Sequence, residues 1–107
     1  MGGGWLHHGD CVGADAQAHD IACGLSWNTV VHPPVRDTYR AFKTATESRP
    51  PQNYLVRYQD IVREVEILLA APQTSEEELR SGTWATIRRA RRAEKTCFIF
   101  YPNGSVE

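Results

Sequence analysis

The chain has 107 residues, 41% of them hydrophobic and 23% charged, with a formal net charge of -1. That length supports one small domain, residues 1–107, with a single core and little to spare. The near-zero charge excludes a global pull toward nucleic acid or a membrane surface, and three cysteines without CxxC spacing, Cys11, Cys23 and Cys97, argue against a disulfide framework or a zinc knuckle.

The first element is "WLHH" (Trp5–His8), an apolar run that stops at Gly9 and reads as a strand. A helix follows over Ala14–Gly24, with Ala14, Ala18, Ile21 and Ala22 at helical spacing and Gly24 as terminator. "TVVH" (29–32) is a second strand, closed by Pro33-Pro34. Residues 35–52 read as a loop, with a short helix around 39–46 as an option. The clearest helix spans 53–65: Leu55, Tyr58, Ile61, Val62 and Val65 form one stripe, and Asn53 can cap it. "EILLAA" (66–71) is a third strand ending at Pro72, and 73–80 is an acidic loop through Glu76, Glu77 and Glu78. A third helix covers 82–94, capped by Ser81, with Trp84, Ile87 and Ala90 inward; "TCFIFY" (96–101) is the last strand, ending at Pro102. Most of these runs are continuous rather than alternating, as strands buried on both faces are. The opening "MGGGWLHH" lacks the pattern of a secretory leader, and no apolar run has the length of a membrane span. A soluble, cytoplasmic protein with no membrane partner is expected.

Strands alternating with helices predict an α/β fold with a parallel sheet and right-handed crossovers. All parallel strands then end on one edge, where open α/β sheets bind ligands. Two segments at that edge share a design. "HGDCVGAD" opens the first helix at Gly13-Ala14, and "RSGTWAT" opens the third at Gly82. Glycine permits tight turns and close approach of a ligand, and a helix N-terminus favours phosphate or carboxylate. Ser81 and Thr83 add hydroxyls, and Trp84 an aromatic face for a base. Asp10 is read as partly an acceptor for ribose or base groups. Asp15 is read chiefly as a first-turn acid that stabilises the helix dipole. Arg57, off the apolar stripe of its helix, is either solvated near Asp60 or a phosphate clamp.

"LHHGDCVGADAQAHDIA", "VVHPP", "NYLVRYQDIV", "LLAAP" and "SGTWATIRRARR", in this order, resemble the SLOG superfamily. These are Rossmann-like domains related to the Lonely-guy (lysine decarboxylase-like) proteins and the DNA-processing protein A group. The closest likeness is to a small bacterial and phage branch, over about Leu6 to Gly104. The resemblance implies a three-layer domain: a short, mainly parallel sheet of about four strands with helices on both faces. It also implies a nucleotide or nucleotide-derived ligand at the carboxyl edge, with no further cofactor required. Gly9, Asp10, Gly13 and Asp15 fall on the first glycine motif, Arg57 on the phosphate-binding and catalytic arginine, and Ser81, Gly82 and Thr83 on the "GGxGT" loop. With Ala14 and Trp84 they make up the expected ligand-binding set, the phosphate over the Gly82-Thr83 helix start with Arg57 nearby.

Two departures shape the functional expectation. The Lonely-guy motif continues as "GTxxE", whose glutamate serves glycosidic-bond hydrolysis; Thr86 stands there instead. That favours a non-catalytic binder or sensor over the alternative, an N-glycosidic hydrolase of a nucleoside monophosphate. Typical members also begin with a further strand and helix, for which residues 1–4 leave no room. A strand edge left bare in this way favours a homo-oligomer.

Three other readings compete. A metal set of His7, His8, Asp10, Cys11, Asp15 and His19 meets the objection that His7 and His8 point to opposite faces of a strand; no metal ligand is therefore assigned. "RRARR" (88–92) with Lys95 could track nucleic acid, but its arginines spread over more than one helix face. Cys11 as a nucleophile would need a partnered base such as His8 or His19. A structural or interaction module is the remaining option.

Overall fold

A computed structural model describes residues 4–74, 76–79 and 81–107. The first three residues, and positions 75 and 80 of the predicted acidic loop, lie outside the described residues. The fold is α/β, with three helices and parallel strands in two small sheets, in keeping with the Rossmann-like expectation. The chain divides after Arg57 into two compact units.

In the first unit, β1 (Trp5–His8) leads into α1 (Ala14–Gly24) and then β2 (Asn28–Val31). β1 and β2 pair in parallel, with Trp5 opposite Asn28 and His8 opposite Val31, and α1 packs on both. The α1 limits match those read from the sequence, but its inward face does not. His19 and Ala22 are buried while Ile21 is 65% exposed. The spacing 15-19-22 defines the inward face, so a polar pair, Asp15 and His19, shares it with one small apolar residue. Gly24 is not the left-handed residue at the helix end. Ser26, at φ 60°, fills that position, with its N–H on the Cys23 carbonyl and the Trp27 N–H on the Ala22 carbonyl.

The segment 35–52 is a loop, as expected, apart from one two-residue strand, and the optional short helix around 39–46 does not form. Residues 39–46 form an irregular strip, in which Arg40 bridges Cys11 and Phe42 takes φ 57°, and β3 (Glu47–Ser48) pairs in parallel with Val30 and Val31 of β2. Side chains replace part of the ladder: Thr29 N–H donates to Thr46 Oγ1 at 3.0 Å and Thr46 N–H to Thr29 Oγ1 at 3.2 Å. This reciprocal pair fixes the register, which a two-residue strand cannot do alone.

α2 (Tyr54–Glu64) starts where Asn53 Oδ1 accepts the Val56 N–H at 3.1 Å, the cap its sequence announces. The second unit holds β4 (Ile67–Ala70), α3 (Gly82–Arg92) and β5 (Thr96–Ile99), with β4 and β5 parallel. Its core gathers Val62, Leu68, Ala70, Trp84, Ile87, Ala90 and Ile99. The predicted inward positions of α3 are therefore the observed ones. The two strands are not buried on both faces, however. Leu68 and Ala70 turn toward α3, whereas Ile67, Leu69 and Phe98 are exposed. Beyond β5 the chain reverses at Gly104 (φ 89°), and Glu107 exchanges both backbone bonds with Ile99.

Gly82 owes its identity to a neighbour in this unit. A methyl group there would fall on the Tyr58 hydroxyl and lie 3.0 Å from Tyr58 Cζ. At an unstrained helix N-terminus glycine to alanine gains up to about 1 kcal/mol. Gly82→Ala is expected instead to lose about 1–3 kcal/mol through overpacking. Adding Tyr58→Phe should recover part of that loss, read as a positive coupling in a urea double-mutant cycle. A stabilised Gly82→Ala single variant would contradict the close approach.

Candidate functional site

The turn from β1 to α1 is the most densely bonded part of the first unit. Asp10 takes φ 56°, a left-handed conformation that aspartate tolerates better than most residues. This aims its carboxylate inward, where it is 0% exposed. A buried carboxylate needs partners on both oxygens. Oδ2 accepts from Arg40 Nε at 2.9 Å and Oδ1 from the Lys43 N–H at 3.0 Å, while the Asp10 carbonyl accepts the Ala41 N–H at 2.8 Å. Val12 N–H donates to the Tyr39 carbonyl at 2.9 Å. One aspartate thereby pins the strip around residues 39–43 against the turn. Arg40, which no local motif singles out, is its counter-ion, and its guanidinium also lies 4.6 Å over the Phe42 ring.

Arg57 is the second organiser. It is 6% exposed and donates Nε to the His32 carbonyl at 2.9 Å and Nη2 to the Gly9 carbonyl at 2.6 Å. Those carbonyls follow β2 and β1, so one guanidinium ties the carboxyl ends of two adjacent strands. Its Nη2 also lies 3.4 Å from Cys11 Sγ. The close packing accounts for Gly9: a Cβ there would sit 2.6 Å from Arg57 Nη2 and 3.2 Å from Asp15 Oδ2. Asp15 accepts the Cys11 N–H at 3.2 Å and so stabilises the turn from within. Gly13 differs from Gly9. It needs glycine for its φ of 94°, and a methyl group there would meet open space.

His7 and His8 leave β1 on opposite sides, as strand alternation requires, and each finds another histidine. His7 Nδ1 lies 2.9 Å from His32 Nε2, and His8 Nε2 lies 2.9 Å from His19 Nδ1. The proton positions of the second pair follow from a third bond. Asp10 N–H donates to His8 Nδ1 at 3.0 Å, so His8 carries its proton on Nε2 and gives it to His19 Nδ1. A second proton on His8 would oppose the Asp10 N–H. Burial pushes the His8 pKa below its ordinary 6.5, ahead of the opposing pull of the Asp15 and Asp10 carboxylates. The unfolded chain thus binds more protons than the folded one as pH falls through that value. The contribution is intact above about pH 6.5 and lost below it, so stability should decline on acidification. Urea midpoints between about pH 7.5 and pH 5.5 should fall more steeply for the parent than for His8→Gln. Parallel profiles would remove His8 from the account.

In the second unit, Ser81 Oγ caps α3 by accepting the Trp84 N–H at 3.3 Å. Thr86, the position expected from the resemblance to carry a glutamate, donates its hydroxyl to the Gly82 carbonyl at 3.0 Å. Trp84 is 3% exposed and donates its indole N–H to Thr74 Oγ1 at 3.4 Å, so its ring is a core element and offers no face to a base. Of the ten expected ligand-binding residues, the structure brings together Gly9, Asp10, Asp15 and Arg57, with Gly13 and Ala14 at the adjoining helix start. Ser81, Gly82, Thr83 and Trp84 stand together at the start of α3.

The α1 start is what this arrangement leaves available. Gly13, at its N-cap, supplies no side-chain acceptor, and the turn before it is already fixed by Asp15, Arg57 and the pinned strip. Tyr39, 72% exposed, and Phe42, 58% exposed, lie on that strip, and the Tyr39 carbonyl accepts from Val12, the residue before Gly13. No family model matches the chain, and neither a curated protein nor a solved structure is significantly similar to it. No helix among the described residues is long and apolar enough to cross a membrane.

Proposed function

We propose that this chain is a SLOG-like domain that binds a nucleotide or nucleotide derivative, without catalysis, at the carboxyl edge of the first unit's sheet. The observation that carries the reading is the α1 start: a helix N-terminus with no side-chain cap and open space at Gly13, in a turn whose Val12 N–H bonds the carbonyl of the exposed Tyr39. Unpaired first-turn N–H groups and the helix dipole suit a phosphate, and Tyr39 and Phe42 suit a base, since stacking accepts any base face. Arg57 and Asp10 hold this edge in shape through backbone carbonyls and the pinned strip rather than by touching the ligand. The preference for a binder over a hydrolase rests on the resemblance, whose motif carries a glutamate where this chain has Thr86. A small-molecule partner, a cytoplasmic setting and self-association through exposed apolar positions such as Ile67, Leu69 and Phe98 belong to the same proposal.

Titration of the 15N-labelled chain with adenosine monophosphate and with adenosine tests it. The monophosphate should shift the Gly13, Ala14 and Asp15 amides and raise the melting temperature, because a ligand selective for the folded state stabilises it. Adenosine should do so weakly, and the nucleotide should be recovered intact by chromatography. Release of free base would sink the non-catalytic reading, and unmoved α1 amides with every nucleotide would sink the nucleotide reading.

A further inference from the structure

The basic run on α3, ambiguous in sequence, is sorted by the fold. Arg88 Nη1 bonds Glu77 at 2.9 Å and the Glu78 carbonyl at 3.2 Å, and Arg91 reaches Glu107 at 3.6 Å. Arg89 and the nearby Lys95 make no ion pair among the described residues, although both side chains are half-buried. The end of α3 brings these two together. Glu94 adopts φ 57°, its N–H bonds the Arg91 carbonyl at 3.1 Å, and the Lys95 N–H bonds the Ala90 carbonyl at 3.0 Å. This left-handed reversal returns the chain across the last helical turn. Lys95 thus joins Arg89 and Ala93 around one depression of about 390 Å³, completed by Gln59, Val62 and Arg63 of α2.

Basic residues in a last helical turn ordinarily offset the helix dipole. That explains an arginine at position 89, but not its meeting with Lys95 from the following turn and Arg63 from another helix. Arg63 engages Asp60 through Nη2, at 2.6 Å, and its side chain is 72% exposed. Among the described residues three cations and no carboxylate line the depression. Like charges gathered in this way repel unless an anion joins them.

We propose that this depression is a binding site for a small oligoanion of the pyrophosphate class, set at the amino end of β5. Arginine forks match paired phosphate oxygens, and a lysine adds a point charge. The Gln59 amide offers a neutral donor. The cations line one depression, and the chain's net charge is -1, which favours a compact polyanion over a nucleic-acid backbone. The site lies in the second unit and does not depend on the reading made for α1.

The test is titration of the full 15N-labelled chain with sodium pyrophosphate at low ionic strength, against a chloride control of matched ionic strength. Saturable shifts should concentrate in residues 59–63 and 89–95. Arg89→Gln and Lys95→Gln should each raise Kd about tenfold, the loss of one charged hydrogen bond. Neither side chain makes an ion pair or hydrogen bond among the described residues, and circular dichroism should show both variants folded. Arg36→Gln, the same charge change at an exposed arginine of the first unit, should leave Kd unchanged. Equal weakening by Arg36→Gln, shifts reproduced by chloride, or no shift at millimolar pyrophosphate would each overturn the proposal. So would tighter binding of a single-stranded oligonucleotide with shifts spread over all of residues 88–92. Shifts at Gly13 and Ala14 report on the other proposal, so the two can fail separately.

Discussion

Asp10→Ala is expected to destabilise the protein by about 3 kcal/mol, a large share of the 5–15 kcal/mol typical of a domain. Two losses add up to this figure. The Lys43 N–H loses the Asp10 Oδ1 to which it donates, and an unsatisfied buried donor costs about 1–3 kcal/mol. Alanine must also hold a left-handed φ near 56°, which costs about 1–2 kcal/mol where aspartate is tolerated. The Arg40 contribution is smaller: its side chain is 23% exposed and regains water when the carboxylate goes. Asp10→Asn should be milder, since asparagine accepts the left-handed conformation and keeps one oxygen for Lys43. The urea midpoint gives the size of the effect, and hydrogen exchange gives its place. Faster exchange should appear at Ala41 and Lys43 before α1. An alanine variant as stable as the parent would show that the strip around residues 39–43 holds without its anchor.

Much of the fold is legible in the chain because local signals agree with it. β1 and α1 begin and end where the apolar run and the Gly13 turn place them, Asn53 and Ser81 cap the helices that follow them, and Trp84, Ile87 and Ala90 face inward. Residues 39–48 are not legible for a physical reason. Their conformation is fixed by bonds to Asp10 and Thr29, about 17 to 33 positions away in sequence, and no local periodicity records such bonds. The histidine pairings are illegible in the sequence for the same reason. The partners, His19 and His32, enter from another element and another strand end. The glycines are correctly marked as special, but the cause differs by position. Gly9 and Gly82 make room for Arg57 and the Tyr58 hydroxyl, whereas Gly13 stands open. Close approach by the protein itself and close approach by a ligand leave the same mark in a sequence.

Arg57 carries the second large effect and separates structure from recognition. Arg57→Ala removes charged donors from the Gly9 and His32 carbonyls and leaves a void beside Gly9. Hydrogen bonds to a charged group contribute about 1.5–3 kcal/mol each, and part of that is offset because the buried guanidinium no longer has to be desolvated. A net loss of about 2–4 kcal/mol is expected. Arg57→Lys should recover little, because one ammonium cannot place donors on two carbonyls in the fixed geometry of the fork. The decisive comparison is between stability and affinity at a temperature where the variant is folded. If Arg57 ties the strand ends, the folded fraction of Arg57→Lys should bind adenosine monophosphate within a few-fold of the parent, with the Gly13 and Ala14 amides shifting as before. If the guanidinium instead clamps the phosphate, affinity should fall by one to two orders of magnitude while the urea midpoint barely moves. The two carbonyl bonds, both on a side chain 6% exposed, favour the first outcome. A preserved midpoint with lost binding would return Arg57 to the ligand and reassign the ends of β1 and β2 to their backbone ladder alone.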